Sequence, residues 1–97
     1  MEIKIQSIKF DADQKLIDFI NKKFSKLEKF YDEAALMEVN LSLLPDPLNK
    51  NAKLRVIIPG AEDMVVERNA DTFESAIVDC AKTLKDRMVQ AKEKRFQ

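Results

Sequence analysis

Apolar residues along the chain switch between a period of two and a period near 3.6. Between residues 2 and 9 they alternate, with Ile3 and Ile5 on one side and Glu2 and Lys4 on the other. That is the pattern of a half-buried strand. Ile8 and Phe10 fall out of phase, which marks a bulge or the strand's end. Asp11-Ala12-Asp13-Gln14 then reads as a helix start, with Asp11 capping the first free amides and Gln14 reaching back as in a capping box. Leu16, Ile17, Ile20, Phe24, Leu27 and Tyr31 follow at helical spacing and predict a helix from about Ala12 to Tyr31. After Asp32-Glu33 the period returns to two, with Met37, Val39, Leu41 and Leu43 facing one way and Glu38, Asn40 and Ser42 the other.

Pro45-Asp46-Pro47-Leu48-Asn49-Lys50-Asn51 punctuates the chain as a loop. Leu54, Val56 and Ile58 mark a third strand, Pro59-Gly60 a turn, and residues 63–68 a fourth strand around Met64, Val65 and Val66. A last helix opens at Asp71-Thr72-Phe73-Glu74, where Asp71 or Thr72 can cap and Glu74 suits the positive end of the helix dipole. Phe73, Ile77, Cys80, Leu84, Met88 and Ala91 line its apolar side as far as about Lys94. The order β-α-β-β-β-α predicts an α+β fold: a four-stranded, antiparallel-rich sheet with two helices packed on one face, as in double-stranded RNA-binding domains. Ninety-seven residues suffice for one core, so residues 1–97 are expected to form one domain.

Composition removes most catalytic classes. There is no histidine, so the usual base near neutral pH is missing. A single cysteine, Cys80, makes neither a disulfide framework nor a Cys–His nucleophile, and its spacing places it in the core. Zinc-ligand sets are absent. Asp11 with Asp13, and Asp46 near Asn49 and Asn51, are explained by capping and turn formation. One glycine leaves no room for a phosphate-cradling loop. No enzyme, cofactor or small-molecule substrate is expected. Met1 opens a strand pattern and not a signal peptide, and no apolar run reaches membrane length, so a cytoplasmic protein with no membrane partner is expected.

Lysine and arginine balance aspartate and glutamate at 17 each, yet the charges are not evenly spread. At ~100° per residue, with Lys22 as zero, Lys15, Lys26 and Lys29 fall within about 40° of it, opposite the apolar set. This lysine stripe is about 21 Å long. The acids of the same helix, Asp11, Asp13, Asp18 and Glu28, sit at its start or beside the stripe. On the last helix Lys85, Lys92 and Lys82 form a second, mixed stripe with Val78 and Val89 among them. Lys82, Lys85, Arg87, Lys92, Lys94 and Arg95 there oppose only Asp86 and Glu93. Balancing acid lies in Glu62, Asp63, Glu67, Asp71 and Glu74. A neutral chain thereby presents a basic helical surface, which suits phosphate contacts that position a partner without reading sequence. A solvated lysine face is the simpler explanation for any single stripe.

Four segments resemble the ribosome hibernation-promoting factor family, also called ribosome-associated translation inhibitors. They are Ile3-Lys4-Ile5-Gln6-Ser7-Ile8-Lys9-Phe10, Phe24-Ser25-Lys26-Leu27-Glu28-Lys29-Phe30-Tyr31, Thr72-Phe73-Glu74-Ser75-Ala76, and Leu84 with Met88 and the Lys92-Glu93-Lys94 ending. Their order and spacing span nearly the whole chain. The resemblance implies a cytoplasmic protein of the short form, whose partner is the small ribosomal subunit and its ribosomal RNA. It further implies that the folded body occludes the path of messenger and transfer RNA. The RNA-binding residues it implies are Lys22, Lys23, Lys26 and Lys29 on the first helix, and Lys82, Lys85, Arg87, Lys92 and Lys94 on the last. Asp86, Val89, Gln90 and Ala91 depart from the family's more basic last helix. Two other readings stay open: a protein-interaction module of the same fold without ribosome binding, and a binder of free duplex RNA.

Overall fold

A computed structural model describes residues 2–29, 36–45, 47 and 49–95, without the side chains of Glu28, Lys29, Lys92, Lys94 and Arg95. The elements are β1 (Glu2–Ser7), α1 (Gln14–Ser25) continued by a 3-10 turn (Lys26–Lys29), β2 (Leu36–Leu43), β3 (Lys50–Ile57), β4 (Met64–Ala70) and α2 (Phe73–Arg95). The strands form one sheet in the order β1-β2-β3-β4. β1 and β2 are parallel, with Ile3 opposite Met37 and Ile5 opposite Val39, as a β-α-β crossover requires. The other two pairs are antiparallel, with Val39 opposite Leu54 and Leu54 opposite Val66.

Both helices cover one face of the sheet, so alternate strand residues are buried. Met37, Val39 and Leu41 of β2 and Ala52, Leu54 and Val56 of β3 have no exposed surface. Against them lie Leu16, Ile20, Phe24 and Leu27 from the first helical segment, and Ala76, Ile77, Cys80, Leu84 and Met88 from α2. Small residues let α2 approach closely: Ala52, Ala70 and Ala76 are buried, and the Cys80 Sγ lies 3.6 Å from the Ala52 carbonyl oxygen.

The helix starts follow from their caps. Asp13 is extended (φ −74°, ψ 164°), and its carboxylate accepts a 2.8 Å hydrogen bond from the Leu16 amide. Capping thus falls to Asp13 and not to Asp11. Gln14 donates forward to Asp18 at 2.8 Å instead of reaching back, so no capping box forms. At α2 the cap is Thr72, whose Oγ1 accepts from the Ser75 amide at 3.1 Å. The first strand is shorter than its alternation predicts because Lys9 takes a left-handed conformation (φ 64°), which turns the chain out of the sheet. β4 runs two residues beyond the expected Arg68, since Asn69 and Ala70 still find partners in Asn51 and Lys50. The first helix tightens to 3-10 after Ser25, so it is not α-helical to its predicted end; Tyr31 lies outside the described residues.

Candidate nucleic-acid interface

Strand directions fix how the helices lie. β1, β2 and β4 run one way and β3 the other, so α1 and α2 both return in the opposite sense and are parallel to each other. Phe10, before α1, stacks on Phe73, the first residue of α2, with ring centroids 5.0 Å apart and 10° between planes. The two helices therefore begin at the same end of the sheet. α2 lies over β3 and β4. Its outer flank is tied to β4: Arg68 Nη2 donates to Thr83 Oγ1 at 3.1 Å, and Arg87 Nη1 donates to the Val65 carbonyl at 2.5 Å. The opposite flank of α2, which carries half-buried Ala81, faces α1.

This geometry decides what the two lysine stripes do together. About 100° separates successive residues on a helix, so Lys82 points straight outward and Lys85 points outward and leans toward α1. By the same construction Lys15, Lys22 and Lys26 point outward and lean toward α2. All five are exposed. Lys22 and Lys26 lie about 12 and 18 Å along α1, and Lys82 and Lys85 lie about 13 and 18 Å along α2. The four lysines therefore lie at similar distances from their helix starts, on two helices that begin at the same end of the sheet.

The other expected site residues part company. Arg87 is on the far flank of α2, bonded to the sheet edge. The helical pattern already sets it about 160° from Lys85, toward the edge of the apolar side, and its carbonyl partner on β4 holds it there. Lys23 is half-buried, and its ammonium lies over the Phe19 ring, 5.6 Å from the centroid. The side chains of Lys29, Lys92 and Lys94 fall outside the described residues. Lys15 is a member of the stripe that the family resemblance does not single out. Phe19 also escapes the apolar pattern, because it stands about 60° from Lys22 and well off the centre of the buried face. Its angle on the α2 side was the available signal. Asp79, Asp86 and Glu93 are exposed on the outer side of α2 beside Lys82, and Glu74 is exposed near the helix start on the flank of Lys85. Lys82 therefore shares its side of the helix with carboxylates one turn away.

The other sheet face is open and of mixed charge. Lys4, Glu38 and Arg55 form one cross-strand row, and Gln6, Asn40, Lys53 and Glu67 the next. Opposite signs alternate along these rows, so no polyanion is favoured there. Asn51 is the one buried polar side chain among the described residues, 7% exposed. Its Nδ2 donates to Asn69 Oδ1 at 2.6 Å and to Glu67 Oε2 at 3.1 Å, and its Oδ1 accepts from Ser42 Oγ at 3.2 Å.

Chemistry in the core is quiet. Burial pushes the Cys80 thiol up to about 11, with Arg68 acting weakly in the other direction. Among the described residues no three His, Cys, Asp or Glu side chains group as metal ligands. No described helix is long and apolar enough to cross a membrane.

The fold and the exposed helix lysines define a small α+β protein with a basic helical surface. The chain belongs to the Sigma 54 modulation protein / S30EA ribosomal protein family, whose model matches residues 3–95. This is the ribosome-associated hibernation family that its sequence resembles. Among solved structures, the chain is similar to a ribosomal subunit interface protein from Coxiella burnetii, with a TM-score of 0.85 at 17% identity over 96% of this chain and 99% of that one. It is also similar to the N-terminal domain of Protein Y from Thermus thermophilus, with a TM-score of 0.80 at 23% identity over 93% of this chain and 98% of that one. At these identities the two structures establish the shared β-α-β-β-β-α fold. No curated protein matches the chain.

Proposed function

We propose that this chain binds the small ribosomal subunit through the basic seam between α1 and α2 and silences translation by occluding the path of messenger and transfer RNA. Residues 1–97 act as one ribosome-binding domain, in the cytoplasm where ribosomes work. The observation that carries the reading is that Lys22, Lys26, Lys82 and Lys85 are exposed on the outer surface of two parallel helices that begin at the same end of the sheet. Lysine ammonium groups neutralise ribosomal RNA phosphates, and released counterions supply much of the affinity. The RNA-binding set is Lys22, Lys23, Lys26 and Lys29 with Lys82, Lys85, Lys92 and Lys94; Arg87 contributes from the opposite flank.

The test is co-sedimentation of the purified domain with small subunits over a salt series. Binding is expected to weaken with salt, by about 0.7–0.9 in log affinity per log salt for each phosphate neutralised. Lys22→Glu/Lys26→Glu/Lys85→Glu is expected to abolish it while leaving the fold intact, and to relieve inhibition of translation in a cell-free system. No sedimentation of the folded wild type with subunits refutes the reading. One observation favours a protein partner as the second reading: Val78 is 44% exposed on the lysine-bearing side of α2. Binding insensitive to salt and lost on Val78→Asp would select it.

A further inference from the structure

Lys23 differs from its neighbours in the stripe. Lys22 and Lys26 are exposed, whereas Lys23 is half-buried and its ammonium rests on an aromatic face. Residues four apart meet on one helix side, and helical side chains lean toward the N-terminus. Lys23 thus falls back onto Phe19 by the ordinary geometry of α1. Phe19 is itself packed against the core cluster, so its ring is an immobile platform. It lies on the flank of α1 that faces α2. The flank of α2 that faces α1 carries the small, half-buried residue Ala81.

The ring's negative face attracts the cation, and the packed ring removes much of lysine's rotamer freedom. A free lysine loses that freedom only when it binds, which weakens the contact. We propose that Phe19 is a positioning residue of the RNA interface: it holds the Lys23 ammonium at the seam so that a phosphate of the bound RNA meets a cation already oriented. This inference rests on the ribosome-binding reading and adds a residue that charge alone does not mark. Phe19 and Lys23 form the ordered floor of the site, beneath the exposed Lys22, Lys26, Lys82 and Lys85.

The experiment compares wild type, Phe19→Leu, Phe19→Tyr, Lys23→Gln and Phe19→Leu/Lys23→Gln. Subunit affinity is measured across a salt series, and thermal unfolding is followed in parallel. Phe19→Leu is expected to bind about two- to five-fold more weakly, and Phe19→Tyr, which keeps the ring, to bind as wild type. Lys23→Gln lowers the salt slope by about 0.7–0.9. In the Lys23→Gln background, Phe19→Leu costs nothing further. A role in packing alone would give the same loss from Phe19→Leu with or without Lys23, and that outcome overturns the proposal. A second readout needs no ribosome: the ε protons of Lys23 are expected to be shifted upfield by the ring in the NMR spectrum, relative to those of Lys22, and to lose that shift in Phe19→Leu. An unshifted Lys23 refutes the pair directly. Failure of the wild type to bind subunits, with the shift present, refutes the ribosome reading and separates the two conclusions; the positioning role at an RNA interface then falls with it.

Discussion

Asn51 joins three strands through one side chain, and replacing its amide by a carboxyl tests that account. Ser42 on β2 and Asn69 on β4 are its cross-strand partners, and Glu67 is the diagonal neighbour on β4. Asn51→Ala removes three hydrogen bonds, each worth about 0.5–1.5 kcal/mol net when fully buried. Glu67 and Asn69 are exposed, so water replaces part of what is lost. The expected cost is about 1–2 kcal/mol. Asn51→Asp keeps the shape and reverses the electrostatics. Asn69 can rotate its amide to donate, but Glu67 cannot, and two carboxylates then face each other where the present contact is 3.1 Å. At an effective dielectric between 20 and 80, that repulsion is about 1–4 kcal/mol. Asn51→Asp is therefore expected to be less stable than Asn51→Ala at neutral pH, despite the smaller change in volume. The sign of its pH dependence follows. Repulsion raises the introduced carboxyl's folded pKa above its unfolded value, so the folded state holds the proton longer. The deficit relative to wild type is full at ~pH 7 and shrinks as pH falls toward ~4. Urea unfolding followed by circular dichroism at both pH values measures it. Equal stability of Asn51→Asp and Asn51→Ala at neutral pH, or a deficit independent of pH, would refute the reasoning. Adding Glu67→Gln should recover most of the difference.

Loss of the α1 cap in Asp13→Ala should cost about 1 kcal/mol, seen as a drop in melting temperature of about 4–8 °C for a domain this size; Asp11→Ala should cost far less. Cys80 should resist a thiol reagent at neutral pH until the protein is unfolded in denaturant, because its side chain has no exposed surface and its thiol is held protonated. The same shift makes folding favour the thiol form. The stability it contributes is present below the unfolded value of 9.0 and is lost as pH rises toward about 11. Unfolding curves between those limits check it.

Apolar periodicity determined the element order, the buried faces of both helices and the lysine stripe on the first, because each depends only on neighbours within one element. Leu16, Ile20, Phe24, Leu84 and Met88 are buried where that spacing puts them. The absence of histidine likewise narrowed the chemistry before any fold was known. Local signals failed where two residue types could do one job. Asp11 and Asp13 are equal as caps on paper, and only the chain's path out of β1 through Lys9 selects Asp13. Tertiary structure alone decided how the two stripes relate. Parallel helices, begun at one end by the Phe10–Phe73 stack, bring Lys22 and Lys26 onto the same outer surface as Lys82 and Lys85. The edge of β4 supplied the carbonyl partner of Arg87, which the helix pattern had already set toward the apolar side. A helix pattern gives each side chain an angle about its own axis. Which angle faces a neighbouring helix is set by strand order and direction, through contacts between residues far apart in the chain.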